Sequence, residues 1–233
     1  MKINVIYEDN HILVVEKPVN IPVQADVTGD ADLLSILKKD IKERYNKPGE
    51  VYLGLVHRLD RPVGGVMVFA RTSKAASRIS DQIRTRIFTK TYLAVVRGIP
   101  GEKKALLRNF LLKNERTNMV TVVKSGTGEA KEALLEYEVL NSEVNGQHGE
   151  LSLLRVKLHT GRPHQIRVQL SHAGYPLFGD QKYGAEVNKP GQQIALWAHE
   201  LSFEHPVKKE IITFISETPQ TDPWRLFTQN EYN

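Results

Sequence analysis

Cysteine is missing from all 233 residues, so the chain can form no disulfide and offers no thiolate to a metal or a substrate. That absence fits a reducing interior. Also missing is any apolar run near the roughly twenty residues that cross a bilayer. The start, Met1-Lys2-Ile3-Asn4-Val5, turns acidic by Glu8 and has no signal-like segment. The expected location is the cytoplasm, with no membrane partner. The histidines His57, His164, His172, His199 and His205 show no H-E-x-x-H spacing, and no nucleotide-binding motif occurs, so neither metal nor cofactor is expected. No internal repeat, low-complexity tract or linker interrupts the chain. One domain spanning 1–233 follows, with its core at about residues 3 to 215 and a polar tail behind it.

What is present is an ordinary globular balance, 40% apolar and 25% charged residues, with a net charge of +5. An excess of this size is compatible with a polyanionic partner but does not require one. Its placement says more. Arg58, Arg61, Arg71, Lys74, Arg78, Arg84, Arg86, Lys90, Arg97, Arg162 and Arg167 crowd the stretches where chemistry is expected, and acids are sparse there. Such a face suits a phosphate backbone.

The organising stretch is Val56-His57-Arg58-Leu59-Asp60-Arg61-Pro62-Val63-Gly64-Gly65. An apolar run, Val51 to Val56, leads in, and another, Val66 to Ala70, leads out. The pattern reads as strand, tight loop, strand, with Asp60 in the loop. A carboxylate flanked by Arg58 and Arg61 suits a base or nucleophile better than an acid. The plainer reading is a turn Asp bonding loop amides or pairing with Arg58. On an extended segment Arg58 and Asp60 would share a face.

Around this stretch the chain alternates short strands and amphipathic helices. Ile3–Glu8 and His11–Glu16 form a hairpin about Asp9-Asn10, and residues 19 to 31 are loop. Leu33, Leu34, Ile36, Leu37, Ile41 and Tyr45 recur at helical spacing behind Asp30 or Asp32, and Asn46-Lys47-Pro48-Gly49 ends that helix. Thr72 or Ser73 caps a second helix through Ala75, Ala76, Ile79, Ile83 and Ile87, with Lys74, Arg78, Arg84 and Arg86 on its other face. Thr89–Gly98 is a strand carrying Tyr92. Ala105–Leu112 and Met119–Lys124 are strand-like, and Ala133–Leu140 and Leu151–His159 form a long hairpin about Asn145-Gly146. Thr160 is placed to cap a third helix, from near Pro163 to Gly174. Ile194–Phe203 and Glu210–Ser216 are the last strands, and Trp224, Leu226 and Phe227 form a docking segment or a frayed end. Strands outnumber helices and many join as hairpins, which argues an α+β class with a largely antiparallel sheet.

Three ordered stretches carry a resemblance. His57 to Gly65 resembles the signature of the RluA-type pseudouridine synthases, usually H-R-L-D-R-x-[TS]-S-G. Lys90-Thr91-Tyr92-Leu93-Ala94-Val95-Val96-Arg97-Gly98 and Thr160-Gly161-Arg162-Pro163-His164-Gln165-Ile166-Arg167 follow in the family's order, with Gly179-Asp180-Gln181-Lys182-Tyr183 behind them. Tyr7-Glu8-Asp9 and Val14-Val15-Glu16-Lys17-Pro18 resemble the family's opening hairpin. The likeness covers about residues 3 to 215. Val63-Gly64 replaces the usual pair before the last glycine, and Glu16 stands where Asn is common.

The resemblance implies the pseudouridine synthase fold: a long mixed sheet flanked by helices, with a central active-site cleft. Family members often carry an added S4-like RNA-binding domain; this chain is expected to be a standalone catalytic domain without one, acting as a monomer on structured RNA, tRNA or rRNA. The reaction breaks N1–C1′ of a uridine, rotates the base and rejoins it through C5, with no net redox change. A carboxylate takes part by adding to C1′, by adding to C6, or by removing a ribose proton; in each case it acts ionised. By resemblance that residue is Asp60, with Tyr92 stacked on the base and Arg167 paired with Asp60. Arg58 would fill the gap left by a flipped base, and Arg61, Arg162, His164 and Gln165 would join it in binding substrate. Arg167 falls in the first turns of a helix, where a cation opposes the macrodipole, so it calls for an anionic partner. Two rivals are an idle RNA-binding module on the same fold, whose sign would be a lost Asp or Tyr, and a glycosidase-like hydrolase. The second needs two acids in one cleft, and apart from Asp180 no second acid lies in the motif cores.

Overall fold

A computed structural model describes residues 1–227. In chain order the elements are β1 (Asn4–Glu8), β2 (Ile12–Lys17), α1 (Leu33–Arg44), β3 (Gly54–Leu55), β4 (Gly64–Ala70), α2 (Ser73–Arg84) and β5 (Thr89–Arg97). There follow β6 (Lys104–Asn114), β7 (Met119–Val123), β8 (Lys131–Asn145), β9 (Gly149–Leu158), α3 (Gln165–His172), β10 (Leu196–Glu204), β11 (Ile211–Ile215) and a 3-10 turn, Trp224–Leu226. The α+β class is as expected. The chain divides into two compact units, Met1–Lys90 with Ala198–Glu217, and Thr91–Trp197 with Thr218–Asn233.

In the first unit β1, β2, β4 and β10 are successive sheet neighbours, with β3 on β4 and β11 on β10. The pairs β1–β2, β2–β4, β3–β4 and β10–β11 are antiparallel. The β1–β2 turn forms because the Asp9 carboxylate accepts from the His11 and Ile12 amides, at 2.7 and 2.9 Å. Every residue of β4 is buried, and Val66, Val68 and Ala70 pack with Ile12, Val14, Ala75, Ile79, Phe88, Leu201 and Phe203. A strand covered on both faces has to be a continuous apolar run, as this one is. Gly65 is required at its start: φ is +116°, and a Cβ there would lie 2.2 Å from the Ala198 carbonyl oxygen. Asp32 caps α1 by accepting from the Ser35 amide, and Thr72 caps α2 by accepting from Ala75.

In the second unit β5, β9, β8, β6 and β7 lie side by side, all antiparallel, and α3 packs against β6, β7 and β8 through Val168, Leu111, Val120 and Ala133. The C-terminal segment docks: Trp224 and Phe227 are 4% and 3% exposed. Residues 228–233 of the expected tail lie outside the described residues.

Two expectations need correction. The run Val51–Val56 is not a strand; only Gly54–Leu55 pairs, with Ala70 and Phe69 of β4. Val51 and Leu53 are buried all the same, so the apolar run reflects packing rather than a ladder. Thr160 does not cap α3. The cap residue is His164, in the left-handed region with φ +52° and no side-chain cap bond. The Thr160 hydroxyl instead donates to Gln165 Oε1 and accepts from the Leu134 amide, both at 2.8 Å. No helix among the described residues is long and apolar enough to cross a membrane.

Candidate active site

In the first unit the Asp60 loop is held from beneath. Asp60 is half-buried, and its carbonyl accepts from the Val63 amide at 3.0 Å, closing a turn over Arg61-Pro62. His57 and Leu59 point inward while Arg58 is exposed, so exposure alternates along 57–60 with Arg58 and Asp60 on the outer side. Arg58 joins no ion pair among the described residues.

Lys17, at the end of β2, is fully buried and anchors this loop. Its ammonium donates to the carbonyls of Pro18 (3.0 Å), Arg61 (3.0 Å) and Val63 (2.7 Å). Three donors meeting three carbonyls, two of them just after Asp60 and one on Lys17's own neighbour Pro18, match what an ammonium can give. Burial pushes its pKa down to about 7, while the Asp60 charge holds it up and Arg61 pushes it down. Replacing Lys17 by Met keeps the volume and strands three carbonyls. Urea unfolding of Lys17→Met is expected to show a loss of about 3 kcal/mol. A loss under about 1 kcal/mol would mean that water satisfies those carbonyls.

His57 supports the loop from the other side. The Val68 amide donates to Nε2 at 3.1 Å, which places the ring proton on Nδ1, and Nδ1 is buried with no hydrogen-bond partner among the described residues. The ring packs on Phe88, with centroids 5.4 Å apart. Burial, with the nearby Lys90 charge added, lowers the His57 pKa to about 3. The unfolded chain therefore takes up this proton first, near its ordinary value of about 6.5. The His57 contribution is complete above about pH 6.5 and is lost as pH falls toward 3. In that window the stability of wild type should fall more steeply than that of His57→Gln, by up to about 1.4 kcal/mol per pH unit. Parallel curves would show that His57 takes a proton without unfolding.

Arg61 does not flank Asp60 as the sequence suggests. Its guanidinium bonds the Asn20 carbonyl and the Thr28 hydroxyl, each at 3.2 Å, and pairs with Asp30. The loop of residues 19–31 folds back to supply those acceptors. Sequence adjacency could not show this.

In the second unit Tyr92 lies on β5, opposite Val156 of β9, and is 6% exposed. Arg167, on the first turn of α3, is buried and meets Asp180 with two bonds: Nε to Oδ2 and Nη2 to Oδ1, both 2.8 Å. This is an anionic partner of the kind its place in the helix calls for. Burial pushes the Asp180 carboxyl up, but the bond and charge of Arg167 and the Lys182 and Tyr183 amides hold it below the usual carboxylate range. His164 Nδ1 lies 2.6 Å from the Tyr183 hydroxyl. Gln165 is 3% exposed and wholly engaged: its oxygen accepts from Thr160 and the Arg162 amide, and its nitrogen donates to the Leu134 carbonyl and Gln169. Arg162 Nε donates to the Glu132 carbonyl. These two shape the loop before α3. Among the described residues no group of three or more His, Cys, Asp or Glu side chains could hold a metal ion.

The residues that sequence reasoning passed over are Lys17, Asp180 and Tyr183 as partners of the named ones. The signal for Lys17 was a lysine closing the apolar run Ile12–Val15; for the others it was the Gly-Asp-x-x-Tyr spacing.

The family model described as RNA pseudouridylate synthase matches residues 11–172, a span that contains Asp60, Tyr92 and Arg167. The chain is 34% identical over 228 residues to an uncharacterized RNA pseudouridine synthase of Aquifex aeolicus, covering 94% of this chain and 70% of that protein. It is 32% identical over 240 residues to ribosomal large subunit pseudouridine synthase D of Pseudomonas aeruginosa, covering 97% and 71%. Among solved structures, human RNA pseudouridylate synthase domain containing 4 superposes with a TM-score of 0.76 at 24% identity, covering 93% of this chain and 89% of that one. That likeness establishes the fold.

Proposed function

The chain belongs to the RNA pseudouridylate synthase family, of RluA type, and is an RNA-modifying isomerase; on that premise we propose that it converts a specific uridine of a structured RNA to pseudouridine through Asp60, with Tyr92 and Arg167 completing the catalytic set. The observation that carries the assignment is the loop of Asp60: a half-buried aspartate whose loop carbonyls are gripped by a buried lysine, next to a buried neutral histidine that ties the segment to β4. Holding a loop on a buried ammonium and a buried imidazole fixes its backbone more closely than an apolar anchor would, which suits a loop that must aim one side chain.

In the proposed reaction the bond between C1′ and N1 breaks, C5 bonds to C1′ and gives up its proton, and N1 gains one. Asp60 acts as nucleophile or base, and Tyr92 lies against the uracil. Chemistry on the base and ribose requires the nucleotide to leave the stack, at a cost of about a few kcal/mol that phosphate contacts must offset. Arg58 is exposed, and the Arg61–Asp30 pair is an exposed one that a phosphate can replace at little cost. Both arginines are assigned to the RNA backbone. His164, Arg162 and Gln165 are assigned to shaping the RNA-facing loop before α3. The names of the relatives favour ribosomal RNA over tRNA as the first substrate to try. We assign residues 1–233 to one catalytic domain, because the family match runs through both compact units. It is proposed to act as a monomer, in the cytoplasm, without a cofactor.

The test is substrate size and salt. A stem-loop with the uridine in or near its loop should be modified, and free UMP should not. Affinity for the stem-loop should fall about tenfold or more between 50 and 200 mM salt. Efficient turnover of UMP, or binding flat across that range, would mean that the basic surface is only solvated.

A further inference from the structure

Arg167 is held in two directions by a single turn. Asp180 grips the guanidinium edge through the two 2.8 Å bonds, and the guanidinium carbon lies over the Tyr183 ring, 5.2 Å from its centroid. The carboxylate is itself aimed: Asp180 Oδ1 also accepts from the amides of Lys182 (2.9 Å) and Tyr183 (3.2 Å). The turn begins at Gly179, where φ is +76° and a Cβ would meet the Gln193 carbonyl oxygen at 2.2 Å. A buried asparagine, Asn188, closes it. Its oxygen accepts from the Gly179 amide and from Arg97 Nε, and its nitrogen donates to the carbonyls of Leu177 and Gly184. Ser171 of α3 donates to the Tyr183 carbonyl, so the turn and the helix that carries Arg167 are tied together.

Stability alone gives little reason for this arrangement. A buried ion pair is often no better than an apolar pair of the same volume, because desolvating both charges offsets their attraction. What it does supply is a guanidinium with a fixed plane. We propose that Asp180 and Tyr183 are positioning residues for the isomerisation, acting through Arg167, with Asn188 fixing the turn that carries them. The inference rests on the functional reading above, in which Arg167 belongs to the catalytic set.

Asp180→Asn is the informative change. The retained oxygen still accepts the two turn amides, while the new NH2 faces a guanidinium N–H and cannot bond it. With the full chain and a stem-loop RNA, kcat is expected to fall about thirtyfold while KM stays within about twofold. In an Arg167→Lys background, which lacks the fork, the same change should cost less than about threefold. Equal losses in both backgrounds, or an unchanged kcat, would overturn the proposal, because a merely structural role is indifferent to the residue at 167. Should Asp180→Asn not fold, hydrogen exchange at Arg167 Nε–H in the wild-type protein decides. Slow exchange supports the clamp, and exchange as fast as at an exposed arginine overturns it. The two failures are distinguishable: a wild-type protein that forms no pseudouridine removes the functional reading, whereas an active one with additive losses removes the clamp alone.

Discussion

Asp60→Asn is expected to lower isomerisation by about a thousandfold or more, the scale seen when the reacting side chain of a cooperating set is removed. RNA affinity should change by no more than about twofold, because deleting one negative charge beside a phosphate track does not weaken binding. The loop should keep its shape. Its hydrogen-bonded anchors are Lys17 on the carbonyls of Pro18, Arg61 and Val63, the Asp60 carbonyl on the Val63 amide, and His57 on Val68; none of these bonds is made by the Asp60 carboxylate, whose charge acts on the loop only by helping to keep Lys17 protonated. A filter-binding curve that matches wild type, beside a lost activity, is the expected pair of results. Turnover within tenfold of wild type would remove Asp60 from its assigned role.

Arg167→Ala carries the second large effect, and it has two separable parts. Activity should fall about a hundredfold, as when a group that orients the reacting centre is lost. Stability should fall too, by about 3 to 4 kcal/mol, since the Asp180 carboxylate is left buried without its counter-charge. Adding Asp180→Asn removes that unpaired charge while keeping an oxygen for the Lys182 and Tyr183 amides. The double variant should therefore regain most of the lost stability and none of the lost activity. An Arg167→Ala protein within about 1 kcal/mol of wild type in urea would show that the pair is not the buried, charged one described here.

Much of the fold was legible because its determinants are local. Asp32 and Thr72 sit one residue before helical periodicity begins and cap through their own side chains, so sequence position suffices. The buried β4 and the Asp9 turn are likewise written in neighbouring residues. The start of α3 departs from its sequence signal for the opposite reason. Thr160 has the right chemistry for a cap, but the tertiary partners Leu134 and Gln165 claim its hydroxyl, and the cap passes to His164 in a left-handed conformation. Val51–Val56 has strand composition, yet its side chains are buried by packing and only two residues find a ladder partner. At the candidate site the motifs picked out Asp60, Tyr92 and Arg167 but not the groups that hold them. Lys17 is 44 residues from the Arg61 carbonyl it binds, and Asp180 is 13 residues from Arg167. Arg61 shows the same limit from the other side: next to Asp60 in sequence, it turns to Asp30 and Thr28 in space.

The most direct measurement is carbodiimide mapping of RNA before and after incubation with the protein, with wild type and Asp60→Asn run side by side. Pseudouridine has the mass of uridine but retains the carbodiimide adduct at its N3 through alkaline treatment, so conversion appears as a new reverse-transcription stop. Large-subunit ribosomal RNA and tRNA transcripts are the two substrates to offer. The account predicts a discrete stop with wild-type protein on one of them and none with Asp60→Asn. No stop on either RNA, or an equal stop with both proteins, would contradict it.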